Sequence, residues 1–260
     1  MALTFPPLMY ELLAFAALHL AYLRPANAAW YLRKSTELQT EALSMFTAQS
    51  TVDESNCGPV LLFTSALGLH MLCDPSRMQD SGSSQYLDQV IETLGLLGRV
   101  KGLSITGWEQ QLKQSELKPL FLVKHPAKPY DIPQPCIDLL MIAQNSDLSA
   151  EAREAYTQAI ERLHWAFAIS ETPYRKHSTT KWLAAWPIQL SEKYLDLLSR
   201  RMPEALIVVA YFGALMGFYA DCWAVGDKGM ALIRAINAQV GPRWQRWMQW
   251  PCSFLISDGP

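Results

Sequence analysis

The chain has 260 residues, half of them hydrophobic and only 18% charged, with a formal net charge of −2. That composition excludes a disordered chain, which needs low hydrophobicity and high net charge. It offers no excess of positive charge for gripping a phosphate backbone, so direct nucleic-acid binding by this chain is not expected. The length suits one domain with a large core, and a single domain over residues 1–260 is expected.

Apolar residues recur at helical spacing along the chain, and no alternating strand pattern stands out. The N-terminal stretch is apolar but lacks the basic start and cleavage site of a signal peptide, and Glu11 and His19 interrupt it. Proline in a first turn predicts a helix over Pro7–Leu23, which Arg24 and Pro25 end. A second helix is expected over Ala26–Ala48, where Leu38, Ala42, Met45 and Phe46 share a face. Pro59 opens a third, strongly apolar helix that runs to Cys73. After a Ser-, Asp- and Gly-rich loop, a fourth covers Gln85–Gly98. Thr106–Glu109 matches a capping box, which predicts a short helix to Leu117. Lys124–Pro135 carries four prolines and reads as an extended loop that could cover a pocket.

Further helices are expected over Pro135–Gln144, Ser149–Ile169 and Pro187–Arg200, with a polar connection at Glu171–Lys181. Pro203 opens the most hydrophobic one, Glu204–Trp223. Its longest uncharged stretch, Ala205–Ala220, falls short of the ~20 residues that span a bilayer. It therefore reads as a buried central helix, and no membrane span is expected. Asp227–Val240 and Pro242–Met248 complete the set. The fold class is all-α: an irregular bundle of about nine to eleven helices.

The five cysteines are odd in number, widely spaced and without a C-x-x-C pair, so they read as reduced, mostly buried thiols. No metal site and no cofactor are expected. The nucleophile elbow, P-loop, Rossmann glycine fingerprint, H-E-x-x-H motif and helical aspartate cluster are all missing. Metal-dependent or triad catalysis is thus disfavoured, and a reaction that needs only shape and a few hydrogen bonds stays open.

Two helices are too apolar to lie on a surface: Pro59–Cys73 and Glu204–Trp223. The second carries small residues at Ala205, Ala210, Gly213, Ala214 and Gly217, which either let helices pack closely or leave room for a ligand. An apolar pocket is expected where the two helices meet, walled by Leu67, Met71, Phe212, Met216 and Tyr219. His70, the one strongly polar group of its helix, is either a satisfied core residue or the polar contact to a ligand. If the chain is an enzyme, His70 and Asp221 are the candidate catalytic groups. Trp244, Trp247 and Trp250 recur every third residue and should dock one helix face on the body of the domain.

Several segments in order resemble one family. They are Ala14–Ala21 (AFAALHLA), Leu38–Phe46 (LQTEALSMF), Asn56–Phe63 (NCGPVLLF), Gly68–Leu72 (GLHML), Pro203–Tyr211 (PEALIVVAY) and Trp247–Pro251 (WMQWP). Together they are similar to the regulatory domain of fungal zinc-cluster transcription factors, closest to the sterol uptake control group. The resemblance implies an all-α ligand-sensing fold with an apolar pocket, which in that group takes a sterol. The family's six-cysteine DNA-binding cluster has no counterpart here. An Arg-Gly pair common after the fourth helix is replaced by Arg99-Val-Lys-Gly102.

The expected function is binding of a small apolar molecule, of sterol, terpenoid or polyketide type, as a regulatory domain inside the cell, in cytoplasm or nucleus. A monomer or homodimer is expected. The alternative is a stand-alone, metal-free enzyme that folds a polyketide or terpenoid for cyclisation or a pericyclic step. A scaffold that binds another protein through exposed apolar helices is a third reading.

Overall fold

The computed structural model describes residues 2–48, 53, 56–74, 83–104, 132–144, 147–170 and 186–255. All regular structure among them is helical. The chain groups into two compact units, Met1–Asp74 with Arg99–His125, and Pro75–Gly98 with Pro126–Pro260. Each is described by itself.

The first unit is built on three helices: α1 (Pro6–Leu23), α2 (Ala28–Thr47) and α3 (Cys57–Cys73). Pro6 and Pro7 start α1 without losing a hydrogen bond, since first-turn N–H groups have no partner within the helix. Pro25 stops it, and a single 3-10 turn, Pro25–Asn27, reverses the chain into α2. The two helices form a close hairpin, and α3 packs on α1. Leu8, Ala14, Ala17, Leu18 and Ala21 line the inner face of α1, and α2 contributes Ala42. The rings of Phe46 and Phe63 pack with centroids 4.5 Å apart, which ties α2 to α3. By length and composition α1 could cross a membrane, yet it buries a carboxylate, Glu11, and lies against two neighbours.

The second unit holds most of α4 (Ser83–Ser104), then α5 (Gln134–Asp138), α6 (Leu140–Ala143), α7 (Ala150–Ser170), α8 (Glu192–Ser199), α9 (Pro203–Gly217), α10 (Lys228–Asn237) and α11 (Gln245–Ser253). At its centre stands α9, as its unbroken apolar sequence requires: every residue from Glu204 to Met216 is buried. It packs against α7, α8, α10 and α11.

Several boundaries differ from the expected ones. The fourth helix continues past Gly98 to Ser104, because at Gly98 the Leu195 side chain fills the space a Cβ would need. The expected Pro187–Arg200 helix is interrupted: Trp186–Ile188 are helical, Gln189 and Leu190 leave the helix, and α8 restarts where the Ser191 hydroxyl caps the Tyr194 N–H at 3.2 Å. The central helix ends at Gly217 rather than near Trp223. Tighter turns follow, with Tyr219 N–H on the Met216 carbonyl and Ala220 N–H on that of Gly217. Gly226, at φ 49°, then turns the chain into α10 by a left-handed step that other residues disfavour. The last helix runs through Pro251 to Ser253 instead of stopping at Met248, since a proline so near the end forfeits only one backbone bond. The capping box at Thr106–Glu109, most of Lys124–Pro135 and the Glu171–Lys181 connection lie outside the described residues.

The spaces beside two glycines of the small-residue row are filled by protein. A Cβ on Gly213 would meet the Gly229 carbonyl at 3.0 Å and Ile233 at 3.1 Å, and one on Gly217 would meet the Phe254 ring at 3.1 Å. Gly213 lets α9 and α10 approach closely, and Gly217 makes room for Phe254 at the end of α11. Of the three recurrent tryptophans, Trp247 is buried and the half-buried Trp250 stacks on Tyr211 at 5.1 Å, while Trp244, also half-buried, lies in the 3-10 turn before α11 rather than in the helix.

Candidate functional site

In the first unit the one charged residue of α1 and the one strongly polar residue of α3 meet. Nδ1 of His70 lies 2.8 Å from Oε1 of Glu11, and Nε2 lies 3.0 Å from Oγ of Ser35. Ser35 in turn donates to the Ala14 carbonyl at 2.8 Å. Each of the three side chains is almost wholly buried. A polar group in such surroundings is costly unless hydrogen-bonded, so each helix finds its partner on another.

The connectivity carboxylate–imidazole–hydroxyl is that of a catalytic triad, but the proton direction is opposite. The Ala14 carbonyl can only accept, so the Ser35 proton points to it and Oγ accepts from His70 Nε2–H. A nucleophilic serine must instead give its proton to that nitrogen. With no route to solvent for Ser35 either, the group is a tie between α1, α2 and α3. His70 thereby has both ring nitrogens engaged within the protein. Its neighbours on the same helix are the buried Leu67 and the half-buried Met71. Oε2 of Glu11 has no hydrogen-bond partner among the described residues.

The other candidates belong to the second unit. Phe212, Met216 and Tyr219 fall on one side of α9 and its following turn, and all three are buried. Asp221 stands in the exposed turn beyond them, in water rather than facing a pocket. Sequence reading missed what surrounds Phe212. Its ring stacks on Trp186, with centroids 4.6 Å apart at 25°. Trp186 meets Tyr194 edge-on at 6.3 Å, and Tyr194 meets Tyr156 edge-on at 6.1 Å. These four residues, from α7, α8, α9 and the helical residues just before α8, form one continuous aromatic cluster. Their spacing in sequence carries no local pattern, so only the tertiary fold reveals them.

Two of the three polar aromatic groups in that cluster are satisfied by backbone. Trp186 Nε1–H donates to the Ala159 carbonyl and the Tyr194 hydroxyl to the Ala205 carbonyl, each at 2.9 Å. The third, the fully buried Tyr156 hydroxyl, has no partner among the described residues. Nor has Oε2 of Glu204, in the first turn of α9. Burial pushes the Tyr156 phenol well above its ordinary range, and the nearby Glu204 carboxylate adds to the shift. Burial likewise raises Tyr194 and Tyr211.

All five cysteines are free, and burial pushes the Cys136 thiol far above its usual range. Among the described residues no three His, Cys, Asp or Glu side chains gather as a metal-ligand group.

The chain is 23% identical over 269 aligned residues to a Zn(2)-C6 fungal-type transcription factor of Gibberella zeae. The match covers 95% of this chain and 53% of that protein, so the chain spans about half the length of the curated relative. No protein-family model matches the sequence, and no solved structure matches the fold. The chain is thus similar to a fungal transcription factor along nearly its whole length.

Proposed function

We propose that this chain is a regulatory region that senses a small apolar molecule, of sterol, terpenoid or polyketide type. The observation that carries the reading is the similarity to a transcription factor over 95% of the chain, in a part where the fold is entirely helical among the described residues. Pockets for such ligands are mostly apolar and aromatic, with a few convergent polar groups. On this reading the wall is the side of α9 that bears the buried Phe212, Met216 and Tyr219, beside the Trp186 stack. On this reading the ligand lies against α9 and alters the chain's contacts with the transcription machinery. A nuclear or cytoplasmic location and a homodimer both suit that role. Leu67, His70 and Met71 line α3, but His70 is held by Glu11 and Ser35, so the polar contact to a ligand is sought elsewhere.

A reporter assay tests this. The chain is fused to a heterologous DNA-binding domain and an activation domain in a fungal cell, and the cell's lipids are depleted and restored. The reading expects reporter output to change with lipid supply, and Phe212→Ala and Met216→Ala to blunt the change at equal protein level. Constant output across all conditions would overturn it.

A further inference from the structure

We propose that the Tyr156 hydroxyl and the Glu204 carboxylate together form the polar anchor of the apolar site on α9, and that its ligand carries a hydroxyl group. The inference rests on the sensing role proposed above.

A phenol donates one hydrogen bond and a carboxylate oxygen accepts. Tyr156 Oη and Glu204 Oε2 are both buried, and neither has a partner among the described residues. Leaving a buried polar atom unmet is unfavourable, so such atoms need an explanation in a bound group. The two share one neighbourhood, since the Tyr156 ring meets Tyr194 edge-on at 6.1 Å and the Tyr194 hydroxyl donates to the carbonyl of Ala205, the residue after Glu204, yet they do not bond to each other. One alcohol oxygen satisfies both: it accepts from Tyr156 and donates to Glu204. A ketone, an ether or a carboxylate cannot, because none offers a proton to Glu204 at neutral pH. The cluster around them supplies the apolar body of the site. Glu204 stands eight residues, about 12 Å of helix, before Phe212. A molecule anchored at Glu204 and running along α9 reaches the Trp186–Phe212 stack with its apolar part.

A matched pair of probes tests the anchor: decan-1-ol, and decyl methyl ether, which keeps the acceptor and loses the donor. Binding is followed by tryptophan fluorescence, and stability by thermal melting without probe. The expected result is at least tenfold tighter binding of the alcohol to the parent protein, because a site built around a hydroxyl rejects the analogue that lacks its proton. Tyr156→Phe and Glu204→Leu should each bring the two probes within about twofold of one another. Tyr156→Phe without probe should melt no lower than the parent, since the change removes a hydroxyl that has no hydrogen-bond partner among the described residues. Equal binding of both probes to the parent overturns the anchor and leaves apolar sensing standing. A marked fall in the melting temperature of Tyr156→Phe also overturns it, by showing that the hydroxyl has a partner in the protein. Failure of both probes to bind overturns the anchor and the sensing role together.

Discussion

Nδ1 of His70 lies 2.8 Å from Oε1 of Glu11, 59 residues away in sequence, and water reaches neither side chain. The pair is a polar lock inside an apolar three-helix unit, and it holds together whichever partner carries the shared proton. Removing one member strands the other. We therefore expect His70→Ala and Glu11→Ala each to cost roughly 3–5 kcal/mol of stability. The double change Glu11→Leu/His70→Leu should cost less than either single change, because no buried polar group is left alone. Denaturant melts of the three variants measure this, and additive losses would contradict the coupling.

Ser35 is a hydrogen-bond acceptor for His70 and a donor to the Ala14 carbonyl. It should therefore resist a fluorophosphonate probe in the folded protein. Ser35→Ala should cost about 1–3 kcal/mol by leaving the His70 N–H unmet. Stoichiometric labelling at Ser35 would show that it is an accessible nucleophile after all.

The close approach of α9 and α10 is tested by adding volume. A Cβ on Gly229 would run into the Gly213 carbonyl, and one on Gly217 would press on Phe254. Gly229→Ala and Gly217→Leu should each lower stability by roughly 1–3 kcal/mol, read from thermal or denaturant melts. A Gly217→Leu protein as stable as the parent would reveal empty space beside α9.

Both of these tests bear on how far the sequence alone reaches. Helix number and class are legible because Pro6, Pro59 and Pro203 mark helix starts and the apolar positions keep a helical period. The central place of α9 is legible too, since no residue between Ala205 and Gly217 is polar enough to face water except through the Tyr211 hydroxyl. Helix ends are less so. Gly98 lies inside a helix because Leu195, almost a hundred residues on, fills its side, and no local signal encodes that contact. His70 can be singled out as the lone polar group of α3, and Glu11 as the lone charge of α1. Their pairing follows only once the two helices are known to touch. The Trp186–Phe212–Tyr194–Tyr156 cluster gathers residues from four segments, and no spacing rule joins them.

Tyr156, Tyr194 and Tyr211 all ionise less readily in the folded protein than their type ordinarily does. Such a phenol keeps its proton in the folded chain when the unfolded chain has lost it. Its contribution to stability is whole below the unfolded value of about 10 and falls away as pH rises beyond it. Stability should thus decline between about pH 10 and pH 11, and less steeply in Tyr156→Phe. Tyrosinate absorbance should show these three phenols appearing only on unfolding. Their titration near the ordinary value in the native protein would contradict the burial.

Native mass spectrometry of the protein purified from a fungal host, before and after lipid extraction, shows whether this chain holds a small apolar molecule. One additional mass is expected on the folded chain, removed by extraction, with a hydroxyl that acetylation reveals and a lower melting temperature once it is gone. The bare chain mass in every preparation, with a melting temperature that no returned lipid fraction raises, would contradict it.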